Sequence, residues 1–219
     1  MQKAEFKAHL GVMDSGKSLL LMQQAYEQDQ IGNRTIIAKP GVDTKAGEQI
    51  ISRVGLKRNV DLLFSPDDNV RTRVLQHIGE RAIHTHTSLY VDEVQFVEPE
   101  QIHHLRQLVT EDNISVNVFG LTTDFTGKMF PPVGAVFENA DRIQQLVTAC
   151  RGHENESGDV CGNSAIRNAR LVNNEYVFSG ETVAIDGEQN ITYRSLCDFC
   201  YTAVKKAVAR KSQQAGEAF

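Results

Sequence analysis

The sequence predicts an α/β protein: a mostly parallel sheet flanked by helices, followed by a small, metal-stapled C-terminal domain. Three observations predict it. Strand-like and helix-like patterns alternate from residue 4 to about residue 147, which is the signature of a sheet with helices on its faces. A glycine-bearing turn with a lysine stands between the first strand pattern and the first helix pattern. All four cysteines fall at or after residue 150, in a region with little apolar content of its own.

The elements follow in order. Phe6, Ala8 and Leu10 alternate with Lys7 and His9, a period of two that predicts a strand over residues 4–10. Residues 17–28 carry Leu20, Leu21, Gln24, Ala25 and Gln28 at helical spacing, and Gly32-Asn33 ends that helix. The β-branched run at 35–38 is a second strand. Residues 40–55 are polar and dotted with glycine and read as loop; 61–64 is a short strand candidate. Val70, Val74, Leu75 and Ile78 place a helix within 69–79. Residues 87–91 are a compact apolar run, a buried strand that closes on Asp92 and Glu93. A helix is predicted over 99–110, with Ile102, Leu105, Leu108 and Val109 on one side, and a strand over 115–121. Beyond residue 150 the segment 152–162 lacks periodicity, short strands are predicted at 169–172 and 177–178, and a helix at 195–211. These patterns divide the chain into a first domain over 1–147, a second over 148–211 and a frayed tail over 212–219.

Composition narrows the function. The 219 residues are 41% hydrophobic and 23% charged, with a net charge of −5. An acidic balance disfavours unspecific binding to nucleic-acid polymers or membrane surfaces, which needs a basic face. No apolar run approaches the roughly 20 residues of a membrane-spanning helix, and no signal-type stretch opens the chain. The expectation is a cytoplasmic protein, and the charge balance leaves room for a small anionic ligand held by a few local donors.

Gly11-Val12-Met13-Asp14-Ser15-Gly16-Lys17-Ser18 fits the pattern G-x-x-x-x-G-K-[ST]. Glycines let successive backbone N–H groups turn toward phosphate oxygens, Lys17 adds a charge for the β- and γ-phosphates, and Ser18 offers a hydroxyl to Mg²⁺. The helix that follows presents its positive end to the same anion. A chance match lacks this strand-before, helix-after context. Asp14 would repel a phosphate, so its side chain is expected to point outward. Asp92, at the end of a buried strand, suits the role of holding Mg²⁺, and Glu93 suits that of a general base. Taken alone such a pair is equally a solvated strand end; beside a phosphate loop the nucleotide reading leads.

Cys197-Asp198-Phe199-Cys200 is a CxxC, and Cys150 and Cys161 supply a second pair. Four thiolates around one Zn²⁺ make a closed structural site, the kind of staple that a domain of about 50 residues needs. A redox CxxC and inert buried thiols are the alternatives, and His153, three residues after Cys150, competes with Cys161 as fourth ligand. The remaining histidines, including His84/His86 and His103/His104, read as surface or packing residues.

Taken together, these residues resemble the thymidine kinase family of the zinc-bearing, P-loop type. The resemblance rests on Gly11, Met13, Ser15, Gly16, Lys17 and Ser18; on Asp92, Glu93, Gln95 and Phe96; on Asp43-Thr44-Lys45 and Ser52-Arg53-Val54-Gly55; on Gly120, Leu121, Phe125 and Phe130; and on Cys161, Gly162, Ala165 and Arg170, then Tyr193 before the CxxC. It runs over roughly residues 5–202. It implies a P-loop NTPase-like fold with a zinc-bound domain and a lasso loop, and transfer of the ATP γ-phosphate to the 5′-hydroxyl of thymidine or deoxyuridine. It further implies Glu93 as catalytic base; Gly11, Met13, Asp14, Ser15, Gly16, Lys17, Ser18, Asp43, Lys45, Arg53, Asp92 and Gln95 around ATP and Mg²⁺; and Met13, Phe96, Leu121, Phe125, Phe130, Val183 and Tyr193 around the nucleoside, the last on a loop running from 183 to 193. It favours Cys161 over His153, and implies a homotetramer inhibited by dTTP. On composition alone the phenylalanines read as ordinary core. The sequence departs from the family at Lys45, where the family has Arg, at Val12 and Asp14, and in the long gap between Cys150 and Cys161. The competing reading is a P-loop ATPase whose zinc-stabilised module binds a partner. A closed base pocket discriminates the two, since an ATPase has no need of one.

Overall fold

The computed structural model describes residues 3–42, 47–79, 86–152, 161–180 and 190–216. Two compact units make up the chain: Met1–Gly11, Gly16–Thr122 and Phe130–Leu146 form the first, and Val12–Ser15, Thr123–Met129 and Val147–Phe219 form the second. The second unit thus takes up two stretches, one of them inside the phosphate loop, that lie within 1–147.

The first unit is built on a six-stranded sheet, every pairing of which is parallel. Its strands are β1 (Phe6–Gly11), β2 (Arg34–Pro40), β5 (Leu62–Phe64), β6 (Thr87–Val91), β7 (Ser115–Leu121) and β8 (Arg142–Leu146), in the order β5-β2-β6-β7-β1-β8. The helices are α1 (Lys17–Gln30), α2 (Val70–Ile78), α3 (Pro99–Thr110) and α4 (Pro131–Asn139). Because side chains alternate along a strand, the sheet has two different faces. Phe6, Ala8, Leu10, Ile36, Ala38, Leu89, Val91, Val116 and Val118 point one way and pack with the apolar sides of α2, α3 and α4. Ile37, Tyr90 and Phe119 point the other way and pack with Leu21, Met22 and Ala25 of α1. His9 lies on this second face, its ring stacked on Phe119 at 4.5 Å between centroids.

Local chemistry sets the helix ends. Asn69 caps α2, its Oδ1 accepting from the Thr72 N–H at 2.9 Å. Glu98 and Gln101 form a reciprocal capping box at the start of α3, with Pro99 in the first turn. One expectation fails in this unit. Residues 40–55 are not all loop: β3 (Gln49–Ile51) and β4 (Lys57–Asn59) form a short antiparallel hairpin. Its turn is Ser52-Arg53-Val54-Gly55, where Gly55 adopts φ 89° and the buried Ser52 hydroxyl accepts from the Leu56 N–H at 3.0 Å.

In the second unit β9 (Thr148–Ala149) pairs with β10 (Ser164–Ala165), and β11 (Arg167–Val172) lies between β12 (Glu175–Val177) and β13 (Ile191–Leu196), all antiparallel. The final helix, α5, runs Asp198–Gly216. Residues 195 and 196, assigned to that helix by their pattern, are strand instead, and the helix backbone continues five residues past 211. Tyr193 likewise lies in β13 and not in a loop. Val12, Cys150, Ala165, Ala169, Leu196, Cys197, Cys200 and Tyr201 form the core of this unit. No helix among the described residues is long and apolar enough to cross a membrane.

Candidate active site and cysteine cluster

In the first unit the carboxyl ends of β1, β6 and β7 meet at one edge of the sheet, where open parallel sheets bind ligands. Gly11, the last residue of β1, stands opposite Leu121, the last of β7. Gly16, with φ 79°, turns the chain into α1, and its carbonyl accepts the Leu20 N–H at 2.9 Å. Only glycine takes this left-handed conformation without strain. Lys17 is buried in the first turn of the helix. The Ser18 hydroxyl donates to Asp92 Oδ2 at 3.1 Å, and the Glu93 N–H donates to Asp92 Oδ1 at 3.0 Å. Burial, with Glu93 adding like charge, pushes the Asp92 carboxyl up to about 7, against the pull of Lys17.

Glu93 itself is held in the left-handed region, at φ 52°. For a residue with a Cβ this conformation carries strain, which is stored most often at functional sites. Gln95 holds the side chain: its Nε2 donates to Glu93 Oε2 at 2.5 Å, and its Oε1 accepts the Leu121 N–H at 3.0 Å. Gln95, expected around the nucleotide, therefore has both ends of its amide engaged within the protein. The approach of this amide to β7 is close. A Cβ on Gly120 would stand 2.5 Å from Gln95 Oε1 and 2.7 Å from Val94 Cγ1. Phe96 and Phe130 meet edge to face at 6.4 Å between centroids, and neither is fully buried, nor is Leu121. Arg53 is exposed in the turn between β3 and β4. Asp43, Lys45 and Val183 lie outside the described residues.

The oxygens fit a hard cation. Magnesium binds oxygen ligands at about 2.0–2.1 Å in an octahedron, so neighbouring ligands stand about 3 Å apart. The Ser18 and Asp92 oxygens are 3.1 Å apart.

In the second unit the arch Val12–Ser15 is held from several sides. The Met13 N–H donates to Asn168 Oδ1 at 2.9 Å, the Ser195 hydroxyl donates to the Met13 carbonyl at 2.6 Å, and the Ser15 hydroxyl donates to the Val12 carbonyl at 2.8 Å. Asp14 adopts φ 61°, and its side chain is only 8% exposed, with Oδ2 3.7 Å from Arg151 Nη1. Its carboxylate is thus turned toward a basic side chain and largely shielded from solvent. Phe125 is buried, with the Arg170 guanidinium 3.7 Å above its ring and the Tyr201 hydroxyl donating to its carbonyl at 2.8 Å. Arg170 Nε also donates to the Tyr193 hydroxyl at 3.1 Å.

Cys150, Cys161, Cys197 and Cys200 place their sulfurs within 4.8 Å of one another. Zinc–thiolate bonds of about 2.3 Å in a tetrahedron set sulfurs about 3.8 Å apart, and Cys161 and Cys197 stand at 3.8 Å. Backbone donors point at the sulfurs, as thiolates require. The Cys197 and Gly152 N–H groups donate to Cys150 Sγ at 3.0 and 3.4 Å, and the Cys200 N–H to Cys197 Sγ at 3.5 Å. Burial raises the Cys197 thiol, but the Cys200 N–H and the neighbouring thiols outweigh it and bring it down to about 7, while burial pushes Cys200 and Cys150 up. This donor set fits a four-coordinate zinc without an open position. His153 lies outside the described residues.

Two residues with a part in these arrangements, Asn168 and Ser195, escape the sequence-based assignment and carry no motif signal; Gly120 is marked by the resemblance, but its close approach to Gln95 is not.

The family model for thymidine kinase matches residues 4–201. The chain is 30% identical to a thymidine kinase of Ruegeria pomeroyi over 196 residues, covering 89% of this chain and 91% of the relative. It is 31% identical to one of Legionella pneumophila over 200 residues, covering 90% and 89%. It is 30% identical to the thymidine kinase of Enterobacteria phage T4 over 187 residues, covering 84% and 89%. A phosphate loop, an acidic strand end and a four-cysteine cluster, in a sequence that matches the family model over almost its whole length, mean that this chain belongs to the thymidine kinase family.

Proposed function

We propose that this chain is a nucleotide-salvage kinase that transfers the γ-phosphate of ATP to the 5′-hydroxyl of thymidine and of deoxyuridine. The observation that carries this reading is the hydrogen-bonded run Ser18–Asp92–Glu93–Gln95–Leu121 at the edge of the sheet, beside the buried Lys17. In this reading Lys17 neutralises charge on the β- and γ-phosphates, Arg53 and Lys45 add positive charge around them, and Asp43 is a further residue around the nucleotide. Ser18 and Asp92 hold Mg²⁺, which when bound supplies charge neutralisation at the transferred phosphoryl group. Glu93 orients the 5′-hydroxyl and takes its proton as the new O–P bond forms and the bond to the β-phosphate oxygen breaks, releasing ADP. Gln95 fixes Glu93 in place, so the base is set before substrate arrives. Met13, Phe96, Leu121, Phe125, Phe130, Val183 and Tyr193 are the nucleoside contacts of this reading.

Zn²⁺ on the four cysteines is structural in this account. The two-domain division of the sequence, a homotetramer, inhibition by dTTP and a cytoplasmic location belong to the same reading, which has no role for a nucleic-acid polymer. Glu93→Gln tests the mechanism. It keeps the shape and removes the base, so turnover should fall at least 100-fold while binding of a fluorescent ATP analogue persists. Near-normal turnover would remove Glu93 from the chemistry.

A further inference from the structure

The middle of the phosphate loop belongs to the second unit, although Gly11 and Gly16 on either side belong to the first. Three of the four polar atoms in its two central peptide groups are held by side chains. Val12 O is held by Ser15, Met13 N–H by Asn168 and Met13 O by Ser195. Peptide groups are planar and trans, so fixing the Met13 carbonyl on Ser195 also fixes the Asp14 N–H, which points the opposite way. The direction of backbone donors is what a phosphate loop works with.

Asn168 and Ser195 are well placed to impose that direction. They are cross-strand partners in β11 and β13, both buried, at 3% and 0% exposure. Asn168 is itself tied down, its Nδ2 donating to the Thr123 carbonyl at 3.3 Å. The Ser195 carbonyl accepts the Arg151 N–H at 3.0 Å, next to Cys150, and β13 runs on into Cys197. Arg151 in turn faces Asp14. Both residues reach the loop through the Met13 peptide, from opposite ends of it.

We propose that Asn168 and Ser195 are positioning residues for ATP binding, clamping the Met13 peptide so that the loop donors are aimed before the nucleotide arrives. This rests on the reading of residues 11–18 as a phosphate loop. The test uses the full chain with its metal, measuring the Kd of a fluorescent ATP analogue, the KM for ATP and for thymidine, and bound zinc. Ser195→Ala and Asn168→Ala are each measured, so that loss of folding in one leaves the other. Loss of one hydrogen bond that aims the loop is worth about a three- to tenfold effect. The expected result is that rise in the analogue Kd, read without nucleoside present, and in the ATP KM, with zinc content unchanged and any rise in thymidine KM no larger, since Met13 is also placed at the nucleoside. An unchanged analogue Kd in a folded variant overturns the proposal, as does a fall in zinc content alongside the rise, which would mark a merely structural role. A wild-type protein that binds no analogue at all removes the phosphate-loop reading itself, and with it this proposal.

Discussion

Gly120→Ala is a sharp probe of the way Glu93 is held. Gly120 lies inside β7, where an alanine would cost nothing in backbone conformation. The cost is steric alone. The new methyl would stand 2.5 Å from Gln95 Oε1 and 2.7 Å from Val94 Cγ1, so Gln95 must retreat by about 0.9 Å to reach ordinary contact. That movement stretches both hydrogen bonds of its amide, to Glu93 and to the Leu121 N–H. Overpacking of this kind costs ~1–3 kcal/mol, a drop of about 3–10 °C in melting temperature for a chain of this size. The larger effect falls on chemistry, since misplacing a catalytic group by about 1 Å costs up to ~100-fold in rate. The assay is steady-state transfer of phosphate to thymidine at saturating ATP, alongside thermal unfolding. We expect kcat to fall 10- to 100-fold with little change in KM for ATP. A kcat within twofold of wild type would refute the role given to Gln95.

Gly134→Ala is the converse. Gly134 lies within α4 and a Cβ there meets nothing within 4 Å, so the variant should be more stable by ~0.5–1 kcal/mol in thermal unfolding, with activity intact. Gly152→Ala would place a Cβ 2.6 Å from Cys200 Cβ and 2.8 Å from its sulfur; elemental analysis should show zinc falling well below the one per chain expected of wild type. His9 is buried on Phe119 with Nδ1 against Gln144, and burial lowers its pKa below 6.5. The unfolded chain then binds the proton more tightly, so stability is complete above pH 6.5 and is lost as pH falls below it. His9→Gln should remove up to ~1.4 kcal/mol of the loss seen per pH unit, read as a smaller drop in melting temperature between pH 7.5 and 5.5. Asp92, raised to about 7, should give up part of a proton when Mg·ATP binds near neutral pH, visible as a binding heat that depends on the ionisation enthalpy of the buffer.

The phosphate loop was legible in the sequence because its chemistry is local: two glycines, a lysine and a serine act within eight residues. The same holds for β6 and α3, whose apolar residues keep a strict period and whose bounds fall at 87–91 and 99–110 as the pattern has them. The cysteine cluster was legible from composition, since thiols in a region with a thin core have few other uses. Elements whose reason lies elsewhere in the chain were not. The β3/β4 hairpin has no clean alternation, since Ile51, Val54 and Leu56 are exposed and its one buried apolar residue, Ile50, packs with α1. Residues 195 and 196 continue a helix-like spacing, yet pairing with β11 keeps them extended. The bonds from Asn168 and Ser195 to Met13 span 155 and 182 residues, beyond any local pattern. Asp14 reads as a misplaced charge until Arg151 is seen beside it.

The central claim is tested most directly by phosphate transfer from Mg·ATP to a panel of thymidine, deoxyuridine, deoxycytidine and the purine deoxynucleosides, with a control lacking nucleoside. The account predicts monophosphate from thymidine and deoxyuridine, none from the others, and little ADP in the control. ADP formed at the same rate whether or not a nucleoside is present would contradict it, leaving an ATPase whose phenylalanines belong to the core.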